Sequence, residues 1–234
     1  MNYPPDRFAV SREAWPFLAP AVVAALIAYG LGMRWWTLVP LVAAAYVLWF
    51  FRNPERMTPR RPDAVVAPAD GTVVAAGVVP SEDFEDGQAL RVAIFMSLFS
   101  VHVNWAPVGA KVTAAEHFPG KFLNAMDDKS GEENERKVMR LETPGGTRAV
   151  LKLVAGLVAR RIVCPLEAGD SVAHGEKVGL IRFGSRAEVL LPASSRLQVS
   201  AGMSVRGGET ILALLEPSQP PADTPRTPAQ TEQE

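Results

Sequence analysis

Ser185 follows Gly184 in the stretch IRFGSRAEVLLP, where a small residue and a hydroxyl interrupt two apolar, strand-like runs. A serine hydroxyl is a weak nucleophile at its own pKa; it acts when a neighbouring base takes its proton and a third group orients that base. His102, in SVHVNWAP, is the candidate base, since it lies in a β-type run leading into a proline turn. Asp70, in VVAPADGTVV, is the candidate orienting acid. Simpler readings stand beside each: Gly-Ser and Asp-Gly are common turn dipeptides, and a histidine in an apolar run can be a hydrogen-bonded core residue. Whether the three meet in space depends on the fold. His117 in AEHFPG and His174 in VAHGEK read as surface or turn residues.

Composition narrows the chemistry. A formal net charge of −1 on 234 residues argues against nucleic acid as a partner. The single cysteine, Cys164 in RRIVCPL, has no partner for an internal disulfide and reads as a buried small hydrophobe. No Cys/His cluster has the spacing of a metal site, so no metal is expected.

The elements that must carry these residues fall into two classes. WPFLAPAVVAALIAYGLGM, 15–33, is uncharged, and after Arg34 a second uncharged run, WWTLVPLVAAAYVLWFF, covers 35–51. Each approaches the roughly 20 apolar residues that a helix needs to cross about 30 Å of hydrocarbon. Trp15, Trp35, Trp36 and Trp49 lie near the run ends, as interfacial aromatics do. Arg7 and Arg12 precede the first run and Arg52, Arg56, Arg60 and Arg61 follow the second, which puts both ends on the cytoplasmic side of a transmembrane or re-entrant helical hairpin. A cleavable signal peptide fits poorly, because the apolar region is doubled and no small-residue cleavage site follows it. The competing reading is a buried helical pair in a soluble core.

Beyond this region the pattern changes to short β-type runs: TVVAAGVV, LRVAIFMSLF, VHVNWAPV, AVLKLVAGLV, RIVCPL, KVGLIRFG, AEVLLP and TILALL. They predict a mainly antiparallel β sandwich or barrel. The polar interval PGKFLNAMDDKSGEENERKV predicts loop with a short helix at most. The expected divisions are a cytoplasmic N-terminus at 1–14, a membrane hairpin at 15–51, a basic linker at 52–64 facing anionic head groups, a β domain at 65–216 and a disordered Pro-rich tail at 217–234. AGDSVAHGEKVGLI, 168–181, repeats as AGMSVRGGETILAL, 201–214. Two copies of turn and strand imply quasi-two-fold symmetry and resemble the hammerhead fold of biotinyl and lipoyl carrier domains. In such carriers the hairpin between the repeats presents a modifiable lysine; here it carries Gly184, Ser185 and Arg186. His174 has Gly207 as its counterpart in the second copy, which argues against an essential role.

Taken in order, FFRNP, APADG, HVNWAP, PGKFLNA, NER, ARRI and GEKVGLIRFGSR resemble the phosphatidylserine decarboxylase proenzymes, in their short membrane-associated form, over about 50–215. The resemblance implies a lyase of phospholipid biosynthesis that converts phosphatidylserine to phosphatidylethanolamine and carbon dioxide. It implies that Ser185 becomes a pyruvoyl group, that Gly184 supplies the carbonyl on the other side of the cleaved bond, and that Asp70 and His102 are the acid and base assisting self-cleavage. The covalent pyruvoyl group forms a Schiff base with the serine amine and replaces pyridoxal phosphate; no metal is implied. The products are a β chain, 1–184, and an α chain, 185–234, held as a heterodimer that can enter a higher oligomer. Arg186, beside the new ketone, is a candidate contact for the lipid phosphate or carboxylate, or else a solvated strand-end arginine.

Two departures are visible. Longer bacterial members have a second histidine three residues before the base, where this chain has Phe99, and their LGST is FGSR here. A lipid with two acyl chains stays in its bilayer, so a hairpin anchor at the cell membrane, with the catalytic domain on the cytoplasmic face, suits this substrate. The alternatives are a membrane-anchored hammerhead adaptor or carrier without catalysis, and the same chemistry on an ether-linked serine phospholipid.

Overall fold

The computed structural model describes residues 9–157, 161–182 and 184–216. The expected disordered tail, 217–234, lies outside the described residues, as does most of the expected cytoplasmic N-terminus.

The two apolar runs become helices α1 (Trp15–Gly30) and α2 (Leu38–Phe50). Pro16 occupies the first turn of α1, where its missing N–H costs nothing, and Gly32, at φ +75°, turns the chain after the helix. With the short 3-10 turn before it, the first helix runs over Arg12–Gly30, 19 residues, long and apolar enough to cross a membrane. α2 has 13 residues, about 20 Å at 1.5 Å per residue, so it falls short of a full crossing. Most of the large side chains of both helices are exposed, among them Leu26, Ile27, Tyr29, Val39 and Val42, as are Trp35 and Trp36 in the turn between them. A soluble helical pair would bury such residues.

Fourteen strands follow among the described residues. They are β1 (Ala64–Val66), β2 (Gly71–Pro80), β3 (Gln88–Met96), β4 (Val103–Trp105), β5 (Ala110–Phe118), β6 (Arg136–Glu142) and β7 (Arg148–Ala155). Then come β8 (Ile162–Val163), β9 (Ser171–Val172), β10 (Lys177–Ile181), β11 (Ser185–Pro192), β12 (Arg196–Leu197), β13 (Ser204–Val205) and β14 (Ile211–Leu214). A single helical turn, α3 (Ser130–Glu133), interrupts the polar interval. Eight strands form one sheet in the order β13-β2-β3-β11-β7-β6-β5-β9, and two three-stranded sheets, β1-β14-β12 and β4-β10-β8, accompany it. The pairings within these sheets are antiparallel. The fold is mainly β with an N-terminal apolar helix, as the residue patterns predict.

The sequence repeat is also a structural one. Gly169 and Gly202 stand at φ +98° and +89°, and Gly175 and Gly208 at +73° each. After the first glycine each copy forms a two-residue edge strand of the large sheet, β9 or β13. After the second it forms the central strand of a small sheet, β10 or β14.

One expectation needs correcting. Gly184 and Ser185 do not form an exposed hairpin tip. They lie where the chain leaves β10 in a small sheet and enters β11 in the large one, between β3 and β7, with Ser185 opposite both Met96 and Ala155. A crossover into a central strand buries its first residue, and Ser185 is 0% exposed.

Candidate functional site

Gly184 has φ +66°, a left-handed conformation that side chains disfavour, and this turns the chain into β11. Its carbonyl packs against Gly156, just after β7, so closely that a Cβ on Gly156 would lie 2.2 Å from the Gly184 oxygen. The Ser185 hydroxyl approaches the Met96 sulfur, with Oγ to Sδ at 3.1 Å. A thioether is a weak acceptor, so the hydroxyl is held without a strong competing bond.

His102 is brought to the same place. Its ring is fully buried, and Nε2 accepts the backbone N–H of Gly184 at 3.2 Å. Nδ1 lies 3.0 Å from the carbonyl oxygen of Ser100. A carbonyl only accepts, so Nδ1 carries the proton and the Nε2 lone pair is turned to the N–H of Gly184, the residue before Ser185. Ser100 is itself fixed by its hydroxyl, which accepts from the Ser97 N–H at 3.1 Å and meets the Ser97 hydroxyl at 3.2 Å. The Phe50 ring covers the imidazole at 4.1 Å between centroids. Burial pushes the His102 pKa down from 6.5 to about 4; the Ser100 carbonyl opposes the shift and the charge of Arg52 adds to it. The ring is therefore neutral at neutral pH.

Asp70 is not hydrogen-bonded to this histidine. It lies in the turn before β2, where both carboxylate oxygens accept from Arg56 Nη2 at 2.9 and 2.8 Å and Oδ1 accepts from the Gly207 N–H at 2.7 Å. Burial raises its pKa, against the pull of Gly207 and Arg56. A Cβ on Gly207 would lie 2.2 Å from the Trp105 ring, so this network shapes the strand that follows His102. The charge of Arg52 is the weakest influence on each of the two groups and lowers the pKa of both. The orienting group predicted at Asp70 is thus, in hydrogen-bond terms, the Ser100 carbonyl.

Arg186 also differs from expectation. It is 1% exposed, and its donors reach Glu188 Oε1 at 2.6 Å, Asp128 Oδ1 at 2.8 Å and the Asp127 carbonyl at 3.2 Å. It is neither solvated nor turned outward to an anion. His117 is half-exposed beside Glu135, and His174 is partly buried in the first repeat; neither has a described bond to Ser185.

A cavity of about 300 Å³ opens beside Gly184, lined by Phe95, Ser97, Leu98, Phe99, Asn124, Ala125 and Leu157. The helices reach its edge: Arg52 Nη2 donates to the Phe99 carbonyl at 2.8 Å, Trp49 packs edge-on to Phe99, and the Tyr46 hydroxyl donates to the Leu98 carbonyl at 3.4 Å. The first helix is tied to the segment before Gly184, where Glu13 pairs with Arg182, whose guanidinium also lies over Phe17. Gly156, Met96, Phe50 and the Ser97–Ser100 pair are site residues that pattern reading missed. FFRNP and HVNWAP hinted at Phe50 and the neighbourhood of His102; Gly156 and Met96 left no signal.

The surroundings of Ser185 fit a small planar ketone made from that residue: a buried strand end, a weakly bonding sulfur on one side and an apolar cavity within reach. No group of three or more His, Cys, Asp or Glu among the described residues has the arrangement of a metal site.

The family model of phosphatidylserine decarboxylase matches residues 43–213. A phosphatidylserine decarboxylase proenzyme of Burkholderia ambifaria is 43% identical over 221 residues, covering 92% of this chain and 100% of the relative. That of Cupriavidus pinatubonensis is 44% identical over 217 residues, covering 92% and 99%, and that of Burkholderia multivorans 42% over 221, covering 92% and 100%.

Proposed function

The chain belongs to the phosphatidylserine decarboxylase family, and on that premise we propose that it is a carboxy-lyase that converts phosphatidylserine to phosphatidylethanolamine, using a pyruvoyl group made from its own Ser185. The observation that carries the reading at residue level is the 3.2 Å bond from the Gly184 N–H to His102 Nε2. A neutral base of the required tautomer lies against the residue whose carbonyl is to be attacked, its lone pair taken by the N–H on the other side of that residue.

Self-cleavage begins as the Ser185 hydroxyl rotates from the Met96 sulfur toward His102 and replaces the Gly184 N–H at Nε2. His102 takes the proton as Oγ attacks the Gly184 carbonyl, and the peptide becomes an ester with the Ser185 amine freed. Loss of the Cα proton of Ser185 then expels the Gly184 carboxylate and leaves a dehydroalanine. Its hydrolysis releases ammonia and leaves the ketone. Gly184 supports this sequence by its left-handed backbone, and Gly156 by leaving room at the carbonyl under attack. Asp70 assists at a distance: with Arg56 it fixes the strand after His102, and its charge offsets that of Arg52.

The ketone, once formed, supplies the electron sink for loss of the lipid's carboxylate as carbon dioxide. The chain's own task is to hold the serine head group in the cavity beside residue 184 and to keep water from it, which the apolar lining of Phe95, Leu98 and Leu157 favours. The products 1–184 and 185–234 stay together as a heterodimer, because β11 is paired on both sides by strands of the first piece and β14 pairs β1. α1 and α2 seat the cavity at the membrane, with the β domain on the cytoplasmic face.

The direct test is to incubate wild-type and Ser185→Ala protein with vesicles containing phosphatidylserine. Release of carbon dioxide with matching formation of phosphatidylethanolamine by the wild type alone supports the reading. Equal inactivity of both, in folded and membrane-bound preparations, contradicts it.

A further inference from the structure

Breaking the bond between residues 184 and 185 turns the first residue of β11 into a chain end, and chain ends at strand termini fray unless they are tied down. Catalysis at residue 185 needs that end fixed to a fraction of an ångström. Ser185 keeps its place in the ladders opposite Met96 and Ala155, but its side chain bonds only to the Met96 sulfur and its backbone N–H is lost with the ammonia. The next residue is different. Arg186 stands on the opposite face of the strand, together with Glu188, two residues on. Its guanidinium binds Glu188 within β11 and reaches across to the Asp128 carboxylate and the Asp127 carbonyl in the loop before α3. Asp128 is held in turn by Arg91 of β3 at 3.0 Å. The same loop contributes Asn124 and Ala125 to the cavity wall beside Gly184.

A buried ion pair in a central strand is seldom the most stable choice, since apolar residues of similar size would fill the space without desolvating charge. What the arrangement provides is a fixed relation among three parts: the start of β11, the neighbouring strand β3 and the loop over the cavity. We infer that Arg186 is a positioning residue that anchors the new α-chain terminus after cleavage and registers it against the 124–128 loop. The inference rests on the self-cleavage reading above. It separates two steps. Before cleavage the backbone holds residue 185 from both sides, so the anchor is dispensable; afterwards it is needed at every turnover.

The test uses the full-length protein and two variants. Asp128→Ala removes the exposed end of the anchor and leaves the Arg186–Glu188 pair intact. Arg186→Met/Glu188→Met replaces the pair without stranding a buried charge. Both are expected to cleave themselves as completely as wild type and to retain its KM for phosphatidylserine vesicles. Their kcat should fall by roughly tenfold to a hundredfold, the scale of a misplacement near 1 Å, and Asp128→Glu should recover most of the loss. Hydrogen exchange at residues 186–188 should quicken in cleaved Asp128→Ala, but not in the uncleaved Ser185→Ala background. Full kcat in Asp128→Ala overturns the inference. So does a loss that appears equally in self-cleavage and in the thermal midpoint of the Ser185→Ala background, which would make the cluster ordinary structure. An unbroken wild-type chain would instead contradict the self-cleavage reading beneath it.

Discussion

His102 Nε2 accepts the backbone N–H of Gly184 at 3.2 Å, while Nδ1 of the same ring is turned to the Ser100 carbonyl. One side chain thus has its tautomer set by the loop before it and its lone pair set by Gly184, whose carbonyl is the proposed target of Ser185. A base held this way needs no carboxylate in hydrogen-bond contact to choose its proton position.

The first prediction concerns pH. His102 has a folded pKa of about 4 against an ordinary 6.5, so self-cleavage should hold its rate from pH 7 to about pH 5 and fall only as pH approaches 4. An inflection near 6.5 would contradict the buried geometry. The same shift makes His102 a source of pH-dependent stability. Its folded pKa is depressed, so the contribution is present above pH 6.5 and is lost as pH falls toward 4, a change of roughly 3 kcal/mol. Urea unfolding in the Ser185→Ala background should show this slope, and His102→Gln should remove it.

Gly156 should be intolerant of any side chain. Because a Cβ there would stand 2.2 Å from the Gly184 oxygen, Gly156→Ala must displace the carbonyl that Ser185 is proposed to attack. Self-cleavage, followed on a gel, should slow by about a hundredfold, the cost of a misplacement near 1 Å. A rate within twofold of wild type would show that the close approach is irrelevant.

Phe50 joins α2 to the base. Phe50→Ala removes a ring 4.1 Å from the imidazole and should lower stability by about 3–5 kcal/mol, as such core truncations do. It should also raise the His102 pKa by letting water in. Phe50→Leu, which refills part of the space, should recover stability more fully than self-cleavage rate. Equal recovery of both would reduce Phe50 to core packing.

Asp70 and Arg56 should behave as a unit. Asp70→Asn and Arg56→Gln each break the pair at 2.8 Å, and both are expected to slow self-cleavage to a similar degree, with the double variant no worse than either single one. A much larger defect in Asp70→Asn alone would show that the carboxylate acts on His102 itself.

These relationships were unevenly legible in the sequence. The two uncharged runs, the repeat with its paired glycines and the apolar strands β3, β7, β11 and β14 announced a mainly β domain behind apolar helices. β5 and β6 escaped notice because polar and charged residues dilute their apolar pattern: Lys111, Thr113 and Glu116 are exposed on β5, and Arg136, Lys137 and Arg140 are half-buried on β6. At the site, Gly184, Ser185 and His102 could be named from residue type and neighbours, since each brings chemistry that packing does not require. Gly156 and Met96 could not, because they matter only through the strand order that sets β7 and β3 on either side of β11. The exposure of Arg186 was misread for a related reason: its partners Asp127 and Asp128 are nearly 60 residues away, and a charged residue in a strand gives no sign of a distant carboxylate.

The central claim is that the chain cuts itself between Gly184 and Ser185 to make its own ketone. Intact mass spectrometry of wild-type and Ser185→Ala protein tests it most directly. The account predicts two wild-type fragments, 1–184 and 185–234, the second lacking a free amine and carrying the pyruvoyl mass, and one uncut Ser185→Ala chain. A single wild-type species at the full 25.2 kDa, from a folded and membrane-bound preparation, would contradict it.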